Sequence, residues 1–403
     1  MIAGLSGIVT GVAVKRLAAV EAMPSKSNQH EINGVQPLKA MFGEKRTTFR
    51  ATFVYLGSDD QETARSIGFV TWYDAREDHP SRSEFRLYFP ATAASERLTA
   101  GDSAFVLTLG SGDVLVAFVA EGSTAERQLS WLFDLESPRT GVSVADLSHG
   151  AKDVGFAARE VLSQLGIETP AATPDEESDL GELLERFGGA FPSTREFSAF
   201  ARDKTDWTDD DPDETIVAWL EREEALFRQL ERHIVLKRLR QGFGEDVDEF
   251  IAYSLSVQNR RKSRVGHAIE NHLEALFSSR TIRYSRGQVT ERASRPDFVF
   301  PSIKDYRDFD FPAGRLTMLG VKSTCKDRWR QVLAEADRVP RKHLFTLEPA
   351  ISTMQTSEMR SRSVVLVMPA ALHATFDSEQ RADILSVRGF LGLLAERQQP
   401  QSA

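Results

Sequence analysis

The chain has 403 residues, 41% hydrophobic and 27% charged, which is the make-up of a folded protein of two or three domains and excludes a disulfide-stapled miniprotein, a collagen-like repeat and wholesale disorder. Its net charge of −9 argues against a polyanionic partner, but the acidity is local: residues 168–214 hold 15 acids and 4 bases, which leaves the rest of the chain at +2. Residues 255–342 hold 19 Lys and Arg against 10 Asp and Glu, a footprint expected of nucleic-acid binding that a solvated basic face would also leave.

The opening MIAGLSGIVTGVAVKRLAA places Lys15 and Arg16 after its apolar run, so it is read as a strand and not as a secretion signal. Apolar alternations follow at 50–56, 68–73, 85–89, 103–109 and 114–119, the last two joined by a Gly110-Ser111-Gly112-Asp113 turn. They predict a mainly β sandwich or barrel over residues 1–140. Residues 141–214 are expected to hold one helix (151–165) and an acidic, mobile linker built on ETPAATPDEESD and DWTDDDPDE. Residues 215–403 read as an α/β domain. A long helix runs to Gly242, and helices follow at 246–256, 263–277 (capped by Ser263) and 327–338. Strands are expected at 283–284, 297–300, 316–323, 344–347 and 363–367. The apolar stretch 364–374 is interrupted by Pro369 and too short to span a membrane, so no anchor is expected. The single cysteine, Cys325, fits a reducing, cytoplasmic compartment.

The chemistry concentrates in the basic third. Glu270 lies at the edge of an apolar helix face, where a carboxylate is costly unless paired, protonated or bound to a metal. In RPDFVFPS, Asp297 opens an apolar strand, and in LTMLGVKSTCKDRW, Lys322 ends another. An Asp and a Lys on adjacent strands beside a helix-borne Glu form the metal-nuclease arrangement called PD-(D/E)XK. There a carboxylate-held metal polarises the scissile phosphate and the Lys orients water or stabilises developing charge. The second carboxylate of that motif belongs two residues before Lys322, where this chain has Gly320. Glu335, on the expected helix 327–338, is the candidate to return the missing charge. A structural ion pair between Asp297 and Lys322, and a surface position for Glu335, are the bland alternatives. Trp219 and Trp329 read as core anchors, with stacking of Trp219 or Arg222 on an extruded base as the sharper alternative.

The runs GFGEDVDEFIAYSLSVQNRRKSRVGHAIENHLEALF, RPDFVFPSIKDY, LGVKSTCKDRWRQVLAEAD and HLFTLEPAIS closely resemble the C-terminal catalytic domain of the EcoRII family of type II restriction endonucleases, over about residues 212–395. The resemblance implies a central mixed sheet flanked by helices, with Glu270, Asp297 and Glu335 as the acidic Mg2+ site, Lys322 as the catalytic lysine and Tyr306 as a supporting tyrosine. It implies a base-reading element in Lys326, Asp327 and Arg328, chemically sensible because cations donate to guanine O6 and N7 while Asp accepts from cytosine N4. Asn259, Arg260, Arg261, Lys262 and Arg264 are expected to contact phosphates or bases. SNQHEINGVQPLKAMFG and SRSEFRLYFP are similar, less closely, to that family's effector DNA-binding pseudobarrel, which implies DNA-facing roles for His30, Arg82, Glu84 and Arg86. The family's lysines there correspond to Pro80 and Phe85 in this chain. The implied protein is a homodimeric enzyme that cuts double-stranded DNA at a CCWGG-like sequence, binds a second, effector copy of the site, and works beside a DNA methyltransferase that protects host DNA. A catalytically silent DNA-binding regulator and a repair or junction nuclease of the same fold are the alternatives.

Overall fold

The computed structural model describes all residues except 1–4, 23–29, 34–35, 59–61, 137, 139–140, 147–154, 170–175, 206–209, 327 and 400–403. The chain divides into two compact units, Met1–Pro170 with Ala350–Ser352, and Ala171–Pro349 with Thr353–Ala403.

The first unit contains β1 (Val9–Arg16), α1 (Ala19–Ala22), β2 (Glu31–Asn33), α2 (Gln36–Phe42), β3 (Thr47–Leu56), β4 (Ala64–Asp74), β5 (Phe85–Tyr88), β6 (Ser103–Leu109), β7 (Val114–Val119), α3 (Thr124–Phe133), β8 (Ser143–Asp146) and α4 (Phe156–Gln164). The strands form one mixed sheet in the order β2-β5-β4-β3-β7-β6-β1-β8, antiparallel except for the β3–β7 pair. The period of two explains why β6 and β7 read as nearly continuous apolar runs: both their faces are buried. Ala104, Val106, Val116 and Phe118 enter one core with Trp72 and Leu87, while Phe105, Leu107, Leu115 and Ala117 enter another with Leu129 of α3 and Leu162 of α4. The Phe89 and Phe118 rings meet at 5.4 Å although β3 and β4 lie between their strands, so the sheet curls over the first core. Ser123 caps α3 by accepting from the Glu126 amide at 3.2 Å.

The second unit contains α5 (Glu176–Phe187), α6 (Thr194–Asp203), α7 (Pro212–Gln241), α8 (Val247–Ser279), β9 (Ser285–Arg286), β10 (Phe298–Phe300), α9 (Ile303–Arg307), β11 (Thr317–Val321), β12 (Lys342–Phe345), α10 (Thr353–Ser361), β13 (Val364–Val367), α11 (Ser378–Arg381) and α12 (Val387–Gln398). Its five strands run β13-β12-β11-β10-β9, parallel between β11, β12 and β13 and antiparallel at β10 and β9. This is the expected mixed sheet flanked by helices. Phe277 of α8 meets Phe298 and Phe300 at 5.2 and 5.1 Å, and Phe390 of α12 meets Phe300 at 6.0 Å, which lays both helices on one face. Each edge-to-face pair contributes about 0.5–1.5 kcal/mol beyond its buried area.

Three expectations are corrected. The segment read as an acidic linker contributes two helices, α5 and α6, and Leu183, Phe197 and Phe200 pack against Leu226, Phe227 and Leu230 of α7. Glu185, Glu196 and Asp203 are exposed on these amphipathic helices, whereas Asp179 is buried and paired with Arg222 of α7, and a Ser193–Glu196 capping box starts α6. Its stretches 170–175 and 206–209 lie outside the described residues. The two helices expected over 246–277 are one 33-residue helix, α8. Between them VQNRRK contains no helix breaker, and the Ser263 hydroxyl donates to the Arg260 carbonyl within the helix at 3.3 Å instead of capping one. The helix expected over 327–338 is a 3-10 segment, Arg328–Ala334, followed by Ala336 in the left-handed region at φ +49°.

Candidate active site

Strand register collects the site. Asp297 stands just before β10 and Lys322 just after β11, on the strands that pair Phe298 with Leu319. The Lys322 amide continues the ladder, donating to the Phe345 carbonyl at 3.0 Å. The pleat therefore turns Asp297, Gly320, Lys322 and Lys342 to the face opposite Phe298 and α8. There the Asp297 carboxylate accepts from the Val321 amide at 2.6 Å and faces Lys322 Nζ at 3.5 Å. The 3-10 segment Arg328–Ala334 covers the same face. A Cβ on Gly320 would lie 2.5 Å from Cγ1 of Val332, so the position that holds a carboxylate in the simplest form of the motif is filled by this segment.

Glu335 follows that segment and sits within electrostatic reach of Asp297 and Lys322. Burial, then the negative charge of Asp297, push its carboxyl from 4.5 up to about 7, against the opposing charges of Lys322 and Lys342. Its Oε2 is buried and has no hydrogen-bond partner. Two carboxylates, one with a sheltered free oxygen, suit a hard divalent cation such as Mg2+, which prefers oxygen and keeps several of its waters. Among the described residues no three His, Cys, Asp or Glu side chains converge as a ready-made metal cluster. Glu270, expected as a third metal ligand, lies on α8 and is bound instead by Arg286 of β9, whose Nε and Nη2 donate at 3.1 and 2.8 Å. Arg286 also holds Asn271 at 2.8 Å and Glu274 at 2.8 Å.

Tyr306 touches none of these groups. Its hydroxyl donates to the Glu291 carboxylate at 2.6–2.7 Å and accepts from the Arg338 amide at 3.3 Å. Burial and the adjoining carboxylate raise its pKa. The Arg338 guanidinium donates to the carbonyls of Tyr306, Asp308 and Phe311, so this tyrosine anchors the chain just beyond Glu335. Sequence reading missed Lys342, Arg286, Glu291 and Arg338. The first looks like a surface lysine at a strand start, and the rest merge into the basic stretch.

The expected DNA contacts divide by availability. Arg260 is exposed, with its guanidinium 4.3 Å from the Phe191 ring centre; Lys262 and Arg328 are exposed, and Lys326 is half-buried in the left-handed region at φ +30°. Asp327 lies outside the described residues. Arg264 is a correction: only 6% exposed, it binds Glu223 at 3.3 Å and also Glu224, stacked 4.2 Å from the Phe227 ring centre, so it ties α8 to α7 and offers nothing to phosphate. Arg261 is likewise held by the buried Glu231 of α7 at 2.7 Å. His272 completes this buried cluster, its Nε2 3.0 Å from Glu223 Oε2. In the first unit His30 is also a correction. It is buried, its ring centre 5.2 Å from that of Phe89, and burial lowers its pKa; it packs a core instead of facing a ligand. Glu84 and Arg86 form an ion-pair network with Arg76 and the buried Glu31, at 2.6–2.7 Å. Arg82 alone of that group is exposed outside the network, before β5 begins. Trp329 and Trp219 are core residues as read.

Residues 227–391 match the family model described as EcoRII C terminal. Over 205 residues the chain is 44% identical to the type II restriction enzyme EcoRII of Escherichia coli, covering 51% of this chain and 50% of that enzyme. The chain thus spans about half the length of the curated relative it matches. Similar solved structures include metal-depleted Ecl18kI in complex with uncleaved DNA (17% identity, TM-score 0.44, 57% of this chain and 86% of that one) and a PspGI restriction endonuclease–substrate DNA complex (14%, 0.41, 56% and 93%).

Proposed function

We propose that this chain, whose residues 227–391 match the family model described as EcoRII C terminal, is a type II restriction endonuclease that hydrolyses both strands of duplex DNA at a short, CCWGG-like sequence. The observation that supports this best is the group of Asp297, Lys322 and Glu335 on one sheet face, with Glu335 Oε2 sheltered and unpartnered. Asp297 and Glu335 would hold Mg2+, with Glu270 able to join only after leaving Arg286. When bound, the cation would supply polarisation of the phosphate and a lowered pKa for a nearby water. Lys322, oriented by Asp297, would steady negative charge growing on the phosphoryl oxygens. Water attack on phosphorus breaks the P–O3′ bond and leaves 5′-phosphate and 3′-hydroxyl ends.

Lys326 and Arg328, beside the site and unencumbered by carboxylates among the described residues, would read bases, with Arg260 and Lys262 on phosphates. A homodimer is supported by exposed apolar side chains toward the joined ends of α7 and α8, among them Leu239, Val247, Phe250, Ile251 and Leu255. The first unit would bind the effector copy of the site, with the exposed Arg82 as a candidate contact, and its curled sheet supports a pseudobarrel. A methyltransferase partner and a cytoplasmic setting follow from the activity. No helix among the described residues is long and apolar enough to cross a membrane.

The test is incubation with a plasmid bearing several CCWGG sites, with and without Mg2+, and sequencing of the ends. Discrete ends at one motif, lost in Lys322→Ala while metal-free DNA binding persists, are expected. Sequence-specific binding without cleavage under any effector supply would make the chain a regulator. Preference for branched over linear DNA would make it a junction nuclease.

A further inference from the structure

We propose that Lys342 is a positioning residue of the candidate active site, whose ammonium fixes the turn from which Glu335 presents its free oxygen to a divalent cation. This rests on the metal-dependent reading of the site.

Lys342 opens β12 and is 6% exposed. A buried ammonium is costly unless its donors are satisfied, and a carboxylate is the usual partner. Here the acceptors are the carbonyls of two consecutive residues, Glu335 itself and Ala336, the latter at 2.7 Å. The grip falls where the chain needs it. Ala336 is held in the left-handed region at φ +49°, which costs a non-glycine residue about 1–2 kcal/mol. Within the turn, the Val339 amide donates to the Ala336 carbonyl at 2.9 Å, and the strain at Ala336 is borne by that bond together with the ammonium. Val332 seated over Gly320 sets the position before the turn, and the Tyr306–Arg338 contacts set the position after it. Lys342 binds the middle from a neighbouring strand, bridging the Glu335 and Ala336 carbonyls. Its own backbone is fixed, the amide donating to the Ser363 carbonyl at 3.0 Å. Removing the ammonium takes the donor from the Glu335 carbonyl and leaves the Ala336 carbonyl to the Val339 amide, so the turn relaxes toward an unstrained conformation that takes the Glu335 carboxylate out of register with Asp297.

The experiment compares the full chain with Lys342→Met, Lys342→Arg and Glu335→Gln. Mn2+ binding to the DNA-free protein is read by calorimetry, DNA binding without metal by gel shift, and folding by circular dichroism. For Lys342→Met we expect Mn2+ affinity to fall at least tenfold while metal-free DNA affinity stays within twofold of the parent. Lys342→Arg, which keeps a cation and donors but alters reach, should lose affinity several-fold less. If Lys342→Met does not fold, the Arg variant decides: weakened Mn2+ binding supports the proposal and parental affinity overturns it. Unchanged Mn2+ affinity in a folded Lys342→Met, with loss in Glu335→Gln, overturns the role of Lys342 and leaves the site reading intact. Unchanged affinity in Glu335→Gln overturns both.

Discussion

The raised pKa of Glu335 makes metal binding a function of pH in a calculable way. With its carboxyl at about 7, roughly 90% of the metal-free protein carries the ionised form at pH 8 and roughly 10% at pH 6. Only the carboxylate can ligate a cation, so apparent affinity should drop about ninefold to tenfold between those pH values, and the midpoint should move down as metal concentration rises because proton and cation compete for one oxygen. The same shift has an opposite consequence for folding. Because the folded-state pKa exceeds the unfolded value of 4.5, the group stabilises the metal-free protein below pH 4.5, and that contribution is lost as pH rises through about 7. The full shift corresponds to about 3 kcal/mol, and solvent access to the carboxylate reduces this to about 1–2 kcal/mol. The assay is Mn2+ calorimetry at pH 6, 7 and 8 paired with urea unfolding at the same pH values, on the parent and on Glu335→Gln. Equal Mn2+ affinity at pH 6 and 8 in the parent, or an undiminished pH dependence in Glu335→Gln, would refute the reasoning.

Replacing Arg264 by Met should lower stability by about 3 kcal/mol in urea unfolding, since it removes the guanidinium shared by the buried Glu223 and Glu224 and leaves them to His272 and Arg228; a change below about 0.5 kcal/mol, on the order of an ordinary surface substitution, would return Arg264 to the pool of DNA contacts. Gly320→Asp, which rebuilds the missing motif carboxylate, should destabilise by about 1–3 kcal/mol because its Cβ meets Val332. It should also fail to rescue cleavage by Glu335→Gln, and rescue in that background would show that the two positions are interchangeable. Arg260→Ala should leave cleavage specificity intact and reduce the salt slope of DNA binding by about 1 if it touches one phosphate; a change in the bases cleaved would make it a reader instead.

Local signals were enough for much of this molecule. The alternation at 103–109 and 114–119 marked strands because the pleat has a period of two, and both runs are strands. Asp297 and Lys322 could be paired in advance because a strand-edge acid and a strand-edge lysine on adjacent strands can meet wherever register allows. Helix continuity through 257–262 was legible in the lack of a breaker there, whereas the folded state of 176–203 and the 3-10 form of 328–334 depended on partners elsewhere in the chain. Aromatic residues on α6 found α7, and Val332 found the space left by Gly320.

Residue types and spacing by themselves determined the class of this chain, a two-part protein with a basic α/β third, and named the acid and lysine that share a sheet face. Tertiary structure alone decided which charges are free. Arg264 and Lys342 are indistinguishable from surface cations in sequence, yet one is neutralised by two glutamates and the other clamps the turn that bears Glu335. The reason is physical. Chain periodicity sets which side of an element a residue occupies, whereas the energy of a charge depends on burial and on partners brought from distant segments, here α7 for Arg264 and the strained turn at Ala336 for Lys342.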